Sequence, residues 1–520
     1  MVLQSRFSRS AMVCSIDHLA SHAGVSIMSR GGNAVDAAIA TNAVLAVTSQ
    51  HMCGLGGDLF ALVHEPGAAR PHSLNASGRS GSGADPEHLR AEGHRRMPAK
   101  GDIRSVPVPG CVDGWMALHD RFGRLPMETV LDAAVHYASD GFPASPLLAF
   151  MAPTVAGIRG GADFAAATGV GAVVRRPGVA RALDAVAGDG RHGFYQGEFG
   201  QGLLELGRGE YSAQDLIEGN ADWVDPLHVD AWGSRVWTVP PNSQGYLALA
   251  GAWIADGLPL PPDANDPSWV HLLIESARAA GFDRPDVLSE TADGAALISE
   301  ERLSPRRDEI RLDRAADLGG SYDAGDTTYL CAVDPDGWAV SLIQSNAAGF
   351  GAELAEPSTG IFLHNRGIGF SLQPGHPAEY GPRRRPPHTL SPLMVTDPKG
   401  SLKAVLGTMG GDAQPQVLLQ LLDRLLRLRE PVGAAISAPR WILQARHQPR
   451  GFDTWDERGA VHVTLEPGCP SSWPAGLIER GHSASVAGAN FGHAHAIVRH
   501  DDVLEGAADP RALTGEAAGF

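Results

Sequence analysis

Long apolar runs are missing from this 520-residue chain. A bilayer-spanning helix needs roughly 20 consecutive apolar residues. The best approach to one, "AVDAAIATNAVLAV" at 34–47, is interrupted by Asp36 and Asn42. The first residues, "MVLQSRFSRSAMVCSIDHLASHAG", hold no continuous apolar signal region. Both readings predict a cytoplasmic protein with no membrane partner. Cysteine is scarce: five residues (Cys14, Cys53, Cys111, Cys331, Cys469), odd in number, scattered, with no Cys-x-x-Cys. That argues against a disulfide framework or a thiolate zinc site and fits a reducing compartment. Positive charge is also short, with 42 Lys and Arg against 59 Asp and Glu and a net charge of −17. Such a balance disfavours nucleic acid and anionic membrane as partners. The Arg run in "GPRRRPPH" at 381–388 reads as a solvated face or a set of ion pairs.

Several chemical signatures are absent as well. There is no His-Glu-x-x-His, no Gly-x-Ser-x-Gly elbow and no Gly-Lys-Ser/Thr phosphate loop. "HAHAIV" at 493–498 puts two histidines on one strand face, but no carboxylate or third histidine is near in sequence, so it reads as a plain strand. "GLGGD" at 54–58 follows a helix and lacks Gly-x-Gly-x-x-Gly spacing, so it is tight backbone packing, not a dinucleotide fingerprint. Nothing calls for a metal or an organic cofactor.

What is present is globular: 43% hydrophobic and 19% charged residues. The length predicts two to four domain-sized units or one large layered fold. "DHLASHAGVSIMSR" reads as a helix stopped by "GG", after which Asn33 can cap an Ala-rich helix ending near Val47. An apolar strand, a loop-rich stretch at 76–110 and further helices follow, then a charged, weakly periodic region up to 326. From 327 strands dominate ("TTYLCAV", "WAVSLIQS", "TLSPLMVT", "KAVLGTM"), before a helix and a β-rich tail. Helices, then strands, then helices again predict a layered α/β sandwich.

The stretch "GDTTYLCAVDPDGWAVSLIQS" at 325–345 is a hairpin pattern. "DPDG" at 334–337 fits a type I turn, with Gly337 in the left-handed position of a three-residue loop. Val333 then opposes Ala339, and counting back puts Thr327 opposite Ser345. Such neighbours have Cβ atoms about 5 Å apart. A Thr–Ser pair of this kind is either an ordinary sheet contact or a nucleophile with a hydrogen-bonding partner. For the second reading the threonine needs a base. A free α-amine of pKa near 8 is one, and an internal backbone nitrogen is not. The Asp326–Thr327 bond would therefore have to break first, and the Gly-rich approach "DLGGSYDAGD" at 317–326 supplies freedom for that.

"TTYLCAVDPDGWAVS" resembles the start of the small subunit of γ-glutamyltransferases, self-cleaving N-terminal-nucleophile hydrolases. "GGNAVDAAIATNAVLAV", "GLGGDLFALV", "VPVPGCVDGWMALHDRFGRLP", "VPPNSQGY", "STGIFLHNRGIGFS", "RRRPPHTLSP", "GTMGGDAQPQ" and "GAADPR" resemble further family blocks in the family's order, over nearly the whole chain. The resemblance implies a four-layer αββα sandwich, made as a proenzyme and cut into residues 1–326 and 327–520, the large and small subunits of one precursor. It implies acyl transfer from a small-molecule amide to Thr327 and on to water or an amine, without a cofactor. Thr327 would be the nucleophile in cleavage and catalysis, Ser345 its hydroxyl partner, and Gly410 and Gly411 the oxyanion-hole pair.

The departures concern the substrate. Typical members hold the substrate's α-amino group with an Asp three residues after a Gln or Glu; here those positions are Arg366 and Gly369. The family's Ser-Ser pair is replaced by His388 and Thr389, and its carboxylate-binding arginine aligns with Ser77, leaving Arg79 as the nearby substitute. A guanidinium in place of an acid should prefer an anion. "HNRG" with "GTMGGDAQPQ" resembles the oxamate amidohydrolase-like branch. γ-Glutamyl compounds such as glutathione are the family default, a small anionic amide is the alternative, and an unprocessed relative that only binds its ligand is a third.

Overall fold

Alternation along the central hairpin sorts its side chains into two layers. In the computed structural model, which describes residues 4–320, 325–445, 460–488 and 491–520, strands Asp326–Val333 and Ala339–Ala347 pair antiparallel. Tyr329, Cys331, Val333, Ala339 and Ile343 enter one buried apolar layer. Leu330, Ala332, Val340 and Leu342 enter another. This is the two-residue period of a strand buried on both faces.

The hairpin is the centre of a seven-stranded antiparallel sheet, flanked by Met12–Ser15 on one side and Asp58–His64 on the other. A second seven-stranded sheet has Leu402–Thr408 at its middle, between Ala494–His500 and Leu393–Thr396. Phe60, Leu62 and Tyr329 of the first sheet meet Trp237, Met394, Val405 and Ile497 of the second in one shared core. Helices His18–Ser29, Ala34–Thr48, Cys111–Phe122, Met127–Asp140 and Pro177–Tyr195 share a core with the first sheet's outer face. Helices Tyr246–Asp256, Pro267–Gly281, Gln414–Leu422 and Ser472–Glu479 do the same for the second. The order is helix, sheet, sheet, helix, as expected. Each sheet mixes strands from before and after residue 326, so that point divides the sequence without dividing the fold.

Helix Ala34–Thr48 sets the position of the site. Asn33 caps it, in a capping box with Asp36, and every residue of the helix is buried. The hairpin turn holds its start. Asp334 Oδ1 accepts the amides of Asp336 and Trp338, both at 2.9 Å, and Asp334 Oδ2 accepts Ala34 N at 3.0 Å. A 15-residue helix rises roughly 22 Å, about the length of a seven-residue strand. The helix therefore ends level with the far end of the hairpin and delivers residues 49–57 to Thr327. There Gln50 O and Met52 O accept Asn346 Nδ2 and N at 3.0 and 3.2 Å. Gly57 permits the approach, since a Cβ on it would stand 2.5 Å from Ser345 O.

Three expectations need correcting. Pairing is regular from Val333–Ala339 to Thr328–Gln344, then slips to Asp326–Ala347. Thr327 thus faces Ser345 across a β-bulge, with Ala347 at a φ of 76°, instead of in a plain pair. The region before 326 read as weakly periodic contains short helices Arg284–Val287, Gly294–Leu297 and Glu300–Asp308. Helices and strands are interleaved through the chain instead of following in blocks. Of the Gly-rich approach, residues 321–324 lie outside the described residues. Among the described residues no helix is long and apolar enough to cross a membrane.

Candidate active site

The strand alternation that buries Tyr329 between the sheets carries Thr327 to the same face, at the end away from the turn. Thr327 and Ser345 are both buried. Thr327 Oγ1 lies 3.1 Å from Ser345 Oγ and donates at 2.7 Å to the carbonyl oxygen of Asp326. Ser345 Oγ donates to that same oxygen at 2.7 Å and accepts Ala347 N at 2.8 Å. One carbonyl, at the Asp326–Thr327 peptide, therefore receives two hydroxyls. The Asp326 side chain accepts Gly349 N at 3.0 Å, and burial pushes its carboxyl up.

The second sheet reaches the same end. Gly407 packs so tightly on the Tyr329 ring that a Cβ there would stand 2.2 Å from a ring carbon. Beyond the end of that strand the chain turns through Gly410 and Gly411, at φ of 134° and 56°. Both conformations favour glycine. The turn is fastened from behind. Gly411 O accepts Gln244 Nε2 at 3.0 Å, and Asp412 is gripped by both Nη atoms of Arg284.

Beside this pair stands an acid that sequence reasoning missed. Asp58 is the cross-strand partner of Ser345 and shares a face with Phe60 and Leu62. Thr327, Ser345 and Asp58 thus form a row across three adjacent strands. Asp58 is wholly buried. Its Oδ1 accepts Gly78 N at 2.8 Å, and its Oδ2 faces His388 Nε2 at 3.1 Å and His364 Nδ1 at 3.5 Å. Burial pushes the carboxyl up, but these neighbours hold it well below the usual carboxylate range. Burial, with Arg366 nearby, pushes His388 down to about 3, so its ring is neutral. Leu390 N donates to His388 Nδ1 at 3.4 Å, which leaves Nε2 to carry the hydrogen toward Asp58.

Arg366 is buried in the turn Arg366–Gly369, and its Nη1 donates to Thr389 Oγ1 at 3.3 Å. Burial lowers it to about 10, against the pull of Asp58 and Asp412, and it remains a cation at neutral pH. Gly369 cannot easily regain the family's acid: a Cβ there would stand 2.5 Å from Pro387 O. The structure therefore gathers Arg366, His388 and Thr389 around Asp58.

Arg79 does not join them. Its guanidinium bonds Asp222 at 3.1 Å, Glu290 at 3.5 Å and the carbonyl of Arg383, a surface cluster shared with the Arg run. Arg384 and Arg385 pair with Glu290 and Asp222, so the run is a set of ion pairs. These acids engage Arg79, so a substrate carboxylate would have to compete with them for it. Ser77 is buried against Asn75 and Asn242.

Two further histidines stand out: His51, which sequence reasoning passed over, and His493, which it placed in a plain strand that in fact begins at Ala494. His51 is buried and His493 half-buried, and each has a buried Nδ1 with no hydrogen-bond partner among the described residues. Burial pushes them down to about 3 and about 4, so both are neutral. His51 lies in the turn that holds Asn346, and His493 O accepts the amide of Met409, next to Gly410. His495 stacks on Tyr329 as an ordinary strand residue.

The chain matches the gamma-glutamyltranspeptidase family model over residues 20–519. It is 35% identical to the oxamate amidohydrolase proenzyme of Klebsiella pneumoniae, over 99% of each chain. It is likewise 35% identical to the glutathione hydrolase-like YwrD proenzyme of Bacillus subtilis, over 98% of each. Among solved structures, cephalosporin acylase from Bacillus halodurans superposes with a TM-score of 0.90 at 32% identity, covering 99% of this chain and 97% of that one. With a family match over nearly the full length and the layered fold in place, the chain is an amidohydrolase belonging to the gamma-glutamyltranspeptidase family.

Proposed function

We propose that the chain cleaves its own Asp326–Thr327 bond and then hydrolyses small amides that carry a carboxylate. The observation that carries the first step is the Thr327 hydroxyl lying against the Asp326 carbonyl, which Ser345 also contacts. Attack of Thr327 Oγ1 on the carbonyl carbon forms a C–O bond and sends an electron pair onto Asp326 O. The hydroxyl proton passes to the Thr327 nitrogen, and collapse breaks the C–N bond to leave an ester. Water hydrolyses the ester, giving an Asp326 carboxylate and a free Thr327 α-amine. That amine, with a pKa near 8 in water, takes the Oγ1 proton in each later turnover. Gly410 and Gly411 amides receive the oxyanion, and the acyl group passes from Thr327 to water or to an amine. The residues before and after the cut remain together as two subunits, since both sheets need strands from each.

The substrate class rests on Arg366. Asp412 is taken by Arg284, and Asp58 by Gly78 and His388. A substrate ammonium would have to settle beside the Arg366 guanidinium, whereas a carboxylate meets it favourably. The oxamate amidohydrolase relative agrees with this choice. The second reading, γ-glutamyl donors, is favoured by the family match and the glutathione hydrolase-like relative.

Purified protein tests both parts. Two fragments on a denaturing gel, with threonine at the new N-terminus, are expected; a single full-length band would favour a binding protein instead. Hydrolysis of oxamate-type half-amides should exceed that of γ-glutamyl-p-nitroanilide. A strong preference for the γ-glutamyl compound would establish the second reading.

A further inference from the structure

Far along the sequence from Thr327, helix Pro267–Gly281 sets His271 and Glu275 one turn apart on one face, both buried. The turn ahead of strand Ser483–Val486 brings the buried His482 against them. His271 Nδ1 is 2.8 Å from His482 Nε2, which is 3.8 Å from Glu275 Oε1. One ligand atom from each residue falls within 4.8 Å of the other two. Four bonds of about 2.0–2.1 Å to a tetrahedral zinc ion place donor atoms roughly 3.3 Å apart. The observed spread brackets that value.

The outer contacts suit ligands as well. His271 Nε2 faces Arg311 O at 2.7 Å, which fixes its hydrogen there and turns the Nδ1 lone pair inward. Glu275 Oε2 accepts Ala316 N at 2.8 Å, leaving Oε1 toward the histidines. A cavity of about 460 Å³ opens on His482, lined also by Arg278, Ala316 and Gly319. Arg278 Nη1 donates to Glu275 Oε1 at 2.6 Å. That oxygen keeps a second lone pair, but the nearby cation weakens the site relative to a neutral setting.

We propose that His271, Glu275 and His482 bind a divalent ion of the zinc class, outside the reaction at Thr327. Two imidazole nitrogens and one carboxylate oxygen match zinc better than calcium or magnesium, which want six or more oxygens. On binding, the hydrogen shared between the two rings moves to His482 Nδ1, so no net proton is released. The ion ties residues 271 and 275 to residue 482. If the chain is cut before Thr327, as proposed above, these lie on different fragments and the ion clamps them together.

The test uses full-length protein stripped with a chelator and titrated with Co²⁺, then Zn²⁺. One equivalent of Co²⁺ should give the visible absorption of a tetrahedral site, and Zn²⁺ should displace it. Zn²⁺ should also raise the melting temperature saturably, because a ligand at 100 times its Kd shifts the folding equilibrium about 100-fold. His482→Ala and Glu275→Gln should each weaken binding at least tenfold, and either suffices if the other misfolds. No Co²⁺ spectrum in the wild type, or unchanged binding in these variants, overturns the site. Cleavage is read separately on gels, so failure of processing and failure of the metal site are distinct results.

Discussion

Ser345→Ala removes a hydroxyl that makes three contacts: Thr327 Oγ1 at 3.1 Å, Asp326 O at 2.7 Å and Ala347 N at 2.8 Å. Two magnitudes compete. If the hydroxyl only steadies the resting carbonyl, its loss is that of a neutral hydrogen bond, ~1 kcal/mol or about fivefold in rate. If it donates to the oxyanion that forms on Asp326 O, the loss is ~2.7–4 kcal/mol, or about 100- to 1000-fold. The geometry selects the larger. Thr327 Oγ1 gives up its proton as it attacks, so of the two hydroxyls on that oxygen only Ser345 is left. Cleavage of freshly synthesised protein, followed on a denaturing gel, should therefore slow by about 100-fold or more. Ser345→Thr, which keeps a hydroxyl, should recover much of the rate. The variant also leaves the Ala347 amide without this acceptor, so urea unfolding should show a loss of ~1–3 kcal/mol. A folded Ser345→Ala protein that cleaves within about fivefold of wild type would refute the oxyanion argument.

Thr327→Ala should give one uncut 520-residue chain, and fragments ending before residue 327 would exclude Thr327 as the processing nucleophile. Asp509 is buried, but Arg440 and Arg511 hold its carboxyl down to about 2. Its unfolded value is near 3.9, so it contributes about 2–3 kcal/mol above pH 4, lost as pH falls through 2; Asp509→Asn should flatten that acid limb in denaturation curves, and an unchanged limb would count against the ion pairs. Arg366→Gln should weaken hydrolysis of anionic amides by about 10- to 100-fold relative to γ-glutamyl-p-nitroanilide, the worth of a charged hydrogen bond. An unchanged ratio would remove Arg366 from substrate recognition.

The four-layer fold was legible through the family resemblance, whereas the Thr327–Ser345 meeting was legible because it depends on local rules. Strand alternation, a Gly-ended turn and counted register need only the residues at 325–345. The β-bulge was not legible, since it is imposed by Asn346 bonding the turn at residues 50–52, some 300 positions away in the chain. Asp58 was hidden for a similar reason. It follows a glycine-rich turn, and only the pairing of its strand with Ala339–Ala347 reveals it as Ser345's neighbour. Its one available signal was parity with Phe60 and Leu62. The ion pairs of Arg79 were not legible, because sequence proximity to Ser77 says nothing about Asp222 and Glu290, which engage it.

Thr327 handles two kinds of acyl group in the proposed reaction, and the proposal assigns them different anion contacts. The first acyl group is the chain's own, ending in Asp326, whose carboxyl bonds Gly349 N. The second belongs to the substrate, whose carboxylate is assigned to Arg366 beside Thr389. In that proposal both would use the same nucleophile and the same Ser345 hydroxyl, because both would present a carbonyl at one place. Selection of the substrate is therefore separable from the ability to mature. A change at Ser345 strikes both steps, whereas a change at Arg366 should leave cleavage before Thr327 intact and alter only which amide is turned over. On this reading Arg366, His388 and Thr389 need not impair self-cleavage, since among the described residues none of the three has a hydrogen bond to Thr327, Ser345 or the Asp326 carbonyl.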